Sequence, residues 1–128
     1  MTRPRVVVVD DNTDILKVAA ETLATACVIV GTATCGCDAL VMVRSLTPDV
    51  LVLDVSMPGM NGLAVAQLLR ADRASPAIVF MSIHEDEALV QAAYDAGGAG
   101  YVVKSRMGSA LLPAVLAAYA KRIRANAS

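Results

Sequence analysis

Four short runs of apolar, strand-forming residues in this sequence are each followed at once by a polar group. Asp10 and Asp11 follow Arg5 to Val9, Asp54 follows Val50 to Leu53, Ser82 follows Ala77 to Met81, and Lys104 follows Gly100 to Val103. Three carboxylates brought together repel one another and raise each other's pKa unless a cation sits among them. Hard oxygen ligands, completed by water and phosphate oxygens, suit Mg2+, or Mn2+ in its place, better than zinc, and no His or Cys falls at these positions. Lys104 could neutralise phosphoryl oxygens that the metal does not reach, and the Ser82 hydroxyl could donate to another. A carboxylate is a recognised covalent acceptor of phosphoryl groups, and such transfer depends on in-line positioning and charge neutralisation. Asp54 is the best candidate nucleophile, because the loop behind it carries Pro58, Gly59 and Gly62 and leaves a donor protein room to approach. Taken singly, an aspartate behind a strand is a turn former or helix cap, and Ser82 and Lys104 are surface groups. Their joint placement carries the reading.

Five runs have strand length: Arg5 to Val9, Val28 to Ala33, Val50 to Leu53, Ala77 to Met81 and Gly100 to Val103. At least three are apolar at successive positions, the pattern of strands covered on both faces. Between them lie segments with helical spacing, such as Ile15, Leu16, Ala19 and Leu23, or Leu63, Ala66 and Leu69. Alternating strands and helices imply right-handed crossovers and a parallel sheet with helices on both faces, an α/β fold of five β/α units. In such a sheet the carboxyl ends of the strands form the ligand-binding edge. Pro48-Asp49 and Ser75-Pro76 punctuate the third and fourth strands, and Gly97-Gly98 can supply a left-handed residue to close the fourth helix. Pro113 is expected to kink the last helix or delay its start. Residues 5–124 read as one domain, with Ala125 to Ser128 as a frayed tail.

The 128 residues are enough for one core without metal or disulfide staples. No apolar run reaches the roughly 20 residues of a membrane span, and the N-terminus lacks the apolar stretch of a signal peptide, so the chain reads as cytoplasmic. A net charge of −1, with only Lys121, Arg122 and Arg124 clustered, argues against nucleic acid as a partner of this domain. Cys27, Cys35 and Cys37 lack the spacing of a zinc or redox motif and read as reduced, mostly buried thiols.

The segments VVVVDDN, PDVLVLDVSMPGMNG, IVFMS and AGGAGYVVKS, in this order and spacing, resemble a two-component response-regulator receiver domain from about Arg5 to Arg124. The resemblance implies a (βα)5 flavodoxin-like, doubly wound fold with strand order 2-1-3-4-5. It implies that Asp54 accepts phosphate from a sensor histidine kinase or a histidine phosphotransfer protein. Asp10, Asp11, Asp54 and the backbone carbonyl of Ser56 would hold Mg2+. Lys104 would pair with the phosphoryl group, Ser82 would be the switch hydroxyl, and Tyr101 the aromatic that turns inward with it. Ser56 and His84 would tune how fast the phosphate is lost. The domain would be a phosphoacceptor that catalyses its own phosphorylation and slow dephosphorylation rather than an enzyme acting on a separate substrate.

Two departures stand out. Ser105 follows Lys104 where the family often has proline, commonly with a cis bond, so that loop is expected to be set differently. With the GAGY lead-in, this variation resembles the NarL/FixJ class, whose receivers normally precede a helix-turn-helix output domain, and none follows in this chain. A stand-alone receiver acting on a downstream partner and the receiver of a DNA-binding regulator both fit, as does a phosphorylation-independent interaction module. A phosphohydrolase using an aspartyl-phosphate fits poorly, because its nucleophile normally follows the first strand in a D-x-D arrangement. Leu111, Leu112, Val115, Leu116, Tyr119 and Ile123 form a band wider than one core-facing stripe needs. It suits either tight packing or a homodimer through the fifth helix, with the first helix beside it.

Overall fold

The computed structural model describes residues 3–72 and 75–127. In chain order the elements are β1 Arg5–Val9, α1 Thr13–Leu23, β2 Val28–Ala33, α2 Gly36–Leu46, β3 Val50–Asp54, α3 Gly62–Leu69, β4 Ala77–Ser82, α4 Glu87–Asp95 and β5 Gly98–Val103. A 3-10 turn at Lys104–Arg106 leads into α5, Met107–Ala127. All strand pairs are parallel and the sheet order is β2-β1-β3-β4-β5, the flavodoxin-like arrangement expected. The chain steps from β1 outward to β2, then returns past β1 to β3. The connections that leave those two paired strands therefore run to opposite faces of the sheet and open a crevice at its carboxyl edge.

Continuous apolar runs in β1, β3 and β4 follow from burial on both faces. Val7, Val9, Leu51, Leu53, Ile78 and Phe80 face a layer built by Ala39 and Val43 of α2, Val65 and Leu69 of α3, and Ala93 of α4. The alternate residues Val6, Val8, Val50, Val52, Val79 and Met81 meet Leu16, Ala19 and Leu23 of α1 and Leu111, Val115 and Ala118 of α5. Period-two alternation in the strands thus splits one apolar run between two cores.

Helix ends follow side-chain chemistry. Asn12 caps α1 by accepting from Asp14 N at 3.0 Å and Ile15 N at 3.1 Å, Asn61 caps α3, and Asp86 caps α4. Gly97, with φ of 104°, supplies the left-handed residue after α4.

Three expectations need correction. Pro113 neither delays nor interrupts α5, which begins at Met107. The carbonyl of Ser109 loses its helical donor, but Ser109 and Pro113 are both exposed, so water can serve it, while Leu111 and Val115 are fully buried and hold the helix in place. The helix also continues through Ala127, beyond the expected onset of fraying at Ala125; Ser128 lies outside the described residues. Of the three free thiols only Cys27 is buried; Cys35 is half-buried and Cys37 exposed, because α2 turns Gly36, rather than its neighbours, toward Met60 and Val65.

The expected apolar band of α5 divides in two. Leu111 and Val115 enter the core, whereas Leu116 and Ile123 stay exposed at 40% and 48%. No helix among the described residues is long and apolar enough to cross a membrane.

Candidate functional site

Only three polar side chains are buried among the described residues, and all three belong to the set expected from sequence: Asp10, Asp54 and Ser82. Burying polar groups without partners costs several kcal/mol, roughly 2–7 for a neutral group and more for a charge, so their collection at one end of the sheet requires an account. Asp54 and Ser82 are the last residues of β3 and β4 rather than the first residues after them, and Asp10 follows β1 directly. The carboxyl ends of these adjacent strands converge, while the segment after β5 brings Lys104 across.

Lys104 lies between the two buried carboxylates. Its Nζ is 2.8 Å from Asp10 Oδ2 and 3.1 Å from Asp54 Oδ2, with the lysine side chain itself 13% exposed. Asp10 Oδ2 receives no aligned hydrogen bond, so the ammonium compensates it by charge rather than by directed bonding. The other oxygens serve the backbone. Asp10 Oδ1 accepts from Asn12 N at 2.9 Å, and Asp54 Oδ1 accepts from Ser56 N at 3.1 Å. Asp11 is exposed, yet Asp10, Asp11 and Asp54 each present one carboxylate oxygen within 4.8 Å of the others.

One cation against this many carboxylates leaves the site short of positive charge. The Asp54 carboxyl is pushed up to about 6, first by burial and further by the charge on Asp10, while the hydrogen bond and charge of Lys104 and the Ser56 amide pull the other way. Lys104 is buried enough for desolvation to oppose its charge, the largest single influence, but Asp10 and Asp54 together outweigh it and hold its pKa above the ordinary lysine value. An all-oxygen donor set with an under-compensated buried carboxylate fits a hard divalent cation.

Ser82 Oγ accepts from His84 N at 3.0 Å, which turns the hydroxyl toward its own loop. Tyr101 OH donates to His84 O at 2.9 Å. His84 joins this network through its backbone amide and carbonyl, and its side chain is exposed. Ser56 is likewise exposed, contributing its amide to Asp54. The loop after Lys104 contains no cis peptide and winds instead into the 3-10 turn, as the serine at position 105 permits.

Sequence reasoning missed two features. Gly62 does not widen the loop for a donor: it is buried at the start of α3, where any Cβ would collide with the backbone carbonyl oxygen of Asp54. Its amide donates to Val55 O at 3.0 Å, fixing α3 against the end of β3. Glu85 pairs with Arg106 at 3.1 Å, a contact between segments distant in sequence that no local pattern announces.

Comparisons with known proteins agree with this geometry. The protein-glutamate methylesterase/protein-glutamine glutaminase 5 of Myxococcus xanthus is 43% identical over 103 residues, covering 78% of this chain and 30% of that protein. The transcriptional regulatory protein NarL of Mycobacterium tuberculosis is 35% identical over 114 residues, covering 88% of this chain and 53% of that protein. The chain therefore spans about half or less of the length of these two relatives. The solved signal receiver domain of the response regulator NarL from Mycobacterium tuberculosis superposes with a TM-score of 0.89 at 31% identity, covering 94% of this chain and 98% of that one. The sequence profile of the response regulator receiver domain matches residues 6–116, and the chain belongs to that family.

Proposed function

We propose that Asp54 is the phosphoacceptor of this receiver domain, and that its phosphorylation changes the setting of the Ser82 and Tyr101 segments to signal a partner. The observation that carries this is the restriction of buried polar side chains, among the described residues, to Asp10, Asp54 and Ser82, with Lys104 bridging the two carboxylates. No stabilising purpose is served by burying two carboxylates beside one ammonium. A site that must take up a metal and a phosphoryl group accounts for it.

Asp10, Asp11 and Asp54, with the backbone carbonyl of Ser56, would hold Mg2+, or Mn2+ in its place; the ion supplies positive charge for the transferring phosphoryl oxygens. The donor is a phosphohistidine of a sensor kinase or phosphotransfer protein. An oxygen of the Asp54 carboxylate forms the new bond to phosphorus, the phosphorus–nitrogen bond of the donor breaks, and its electron pair stays on the imidazole. Lys104, already 3.1 Å from Asp54 Oδ2, pairs with a phosphoryl oxygen. The Ser82 hydroxyl accepts from His84 N in this structure and keeps its own hydrogen to give to another phosphoryl oxygen. Turning toward it releases His84 and the loop that Tyr101 holds. Ser56 and the exposed His84 border the reaction and set the lifetime of the phosphate. The domain thereby catalyses its own phosphorylation and slow dephosphorylation, in the cytoplasm, and does not itself contact DNA.

The reader of this signal is a downstream partner or an output domain such as those of the transcriptional regulators it resembles. The second face of α5, with Leu116 and Ile123 exposed, together with Val18 on the adjacent α1, is the surface proposed for a homodimer. The test of the acceptor reading is intact mass after incubation with Mg2+ and acetyl phosphate. One phosphate on the native chain, absent from Asp54→Asn and absent in EDTA, is expected. Equal labelling of Asp54→Asn would defeat the assignment, and no labelling by either acetyl phosphate or a histidine kinase would favour a phosphorylation-independent module.

A further inference from the structure

We infer that Glu85 and Arg106 are positioning residues for the phosphoryl chemistry, forming a clasp that holds the Ser82 loop in its unphosphorylated setting. This rests on the acceptor reading above and extends it to a pair outside the site. Glu85 lies in the short connection between β4, which ends at Ser82, and α4, which begins at Glu87. Arg106 closes the 3-10 turn that starts at Lys104. Their side chains meet at 3.1 Å.

The same two segments are joined a second time, by Tyr101 OH donating to His84 O at 2.9 Å. Tyr101 and Arg106 thus stand on either side of Lys104 along one stretch of chain, and His84 and Glu85 are neighbours on the other. Between these ties, Ser82 Oγ is occupied by His84 N and Lys104 Nζ by the two carboxylates. Ser82 ends β4, and its hydroxyl turns toward a phosphoryl group on Asp54 by giving up the bond from His84 N, which frees the loop that bears Glu85 to shift relative to Arg106. A contact made in one setting and lost in the other biases the equilibrium toward the first. The clasp therefore opposes phosphorylation, and it does so through charge, so its strength falls with salt. Both side chains are more than half exposed, which limits the effect to a modest bias rather than a lock.

The test is the rate of covalent labelling by acetyl phosphate with Mg2+ in the native chain, Glu85→Gln, Arg106→Gln, the double variant, and the exchange of Glu85→Arg combined with Arg106→Glu. A clasp predicts that both single variants label faster, about 1.5- to 5-fold, that the double is no faster than either, and that the charge exchange returns toward the native rate. Simple attraction of the anionic donor predicts opposite signs, with Glu85→Gln faster and Arg106→Gln slower, and that result would overturn the inference. So would single effects that multiply in the double variant. Hydrogen exchange of the unphosphorylated protein gives a second readout free of donor charge: the His84 and Glu85 amides should exchange faster in both single variants and recover in the exchanged pair. Unchanged exchange in all variants would also overturn it. Failure of the native chain to label with any donor would instead remove the acceptor reading itself, and this inference with it.

Discussion

Replacing Asp54 with Asn should stabilise the metal-free protein at neutral pH, because the native carboxylate is held where ionisation is unfavourable. Its pKa rises from 3.8 to about 6 on folding. The folded state therefore binds the proton more tightly than the unfolded chain does. The associated stability is fully present below the unfolded value of 3.8 and is lost as pH rises through the folded value of about 6. At pH 7.5 the ionised carboxylate costs about 3 kcal/mol relative to its protonated form. Asparagine keeps the shape and carries no charge, but Lys104 then loses one of its two carboxylate partners, so a net gain of about 1–2 kcal/mol is expected. For a domain of this size that corresponds to about 3–10 °C in melting temperature. Thermal unfolding followed by circular dichroism in EDTA, from pH 4 to pH 8, compares the two chains. At pH 4, where the native carboxyl is protonated in the folded state, about 2.5 kcal/mol of that cost is relieved, so the gain should vanish or reverse to a loss of about 1 kcal/mol. Millimolar Mg2+ should raise the native melting temperature more than that of Asp54→Asn. A variant no more stable than the native chain at pH 7.5, or a gain of equal size at every pH, would refute the reasoning.

Other substitutions probe separate parts of the site. Lys104→Met removes the cation between Asp10 and Asp54 and should destabilise the metal-free chain by about 3 kcal/mol in a denaturant titration at neutral pH, with less loss at acid pH. Gly62→Ala forces a methyl onto the Asp54 carbonyl; urea unfolding should show a loss of about 2–4 kcal/mol, and phosphorylation by acetyl phosphate should slow with the displaced acceptor. Ser82→Ala should leave a phosphorylated product detectable by mass while weakening the phosphorylation-dependent change, read as amide shifts around Tyr101 in NMR spectra.

The residues proposed to carry the chemistry could be grouped from sequence because the fold places strand ends, not side chains, in register. Asp10, Asp54 and Ser82 could be joined from sequence since apolar runs buried on both faces identify β1, β3 and β4, and the parallel topology sends their carboxyl ends, with Lys104 after β5, to one edge. Features fixed by contact across the fold were not legible. Gly62 is demanded by the approach of α3 to the Asp54 carbonyl, which no spacing reveals, and the loop proline and glycines around it invited a different reading. Pro113 is accommodated within α5 because Leu111, Val115 and Ala118 bury that helix on the sheet, outweighing the local propensity that argued for a later start. The involvement of His84 passes through its amide and carbonyl, which every residue possesses. The Glu85–Arg106 pair depends on two loops that approach only after the sheet has formed.

The central claim is tested most directly by locating the acyl phosphate. The native chain, phosphorylated with Mg2+ and acetyl phosphate, is treated with borohydride, which reduces an aspartyl-phosphate to homoserine, and its peptides are then sequenced by mass spectrometry. Homoserine at position 54, and at no other aspartate, is the predicted result. Homoserine at Asp10 or Asp11, or a phosphorylated chain with position 54 unaltered, would contradict the account.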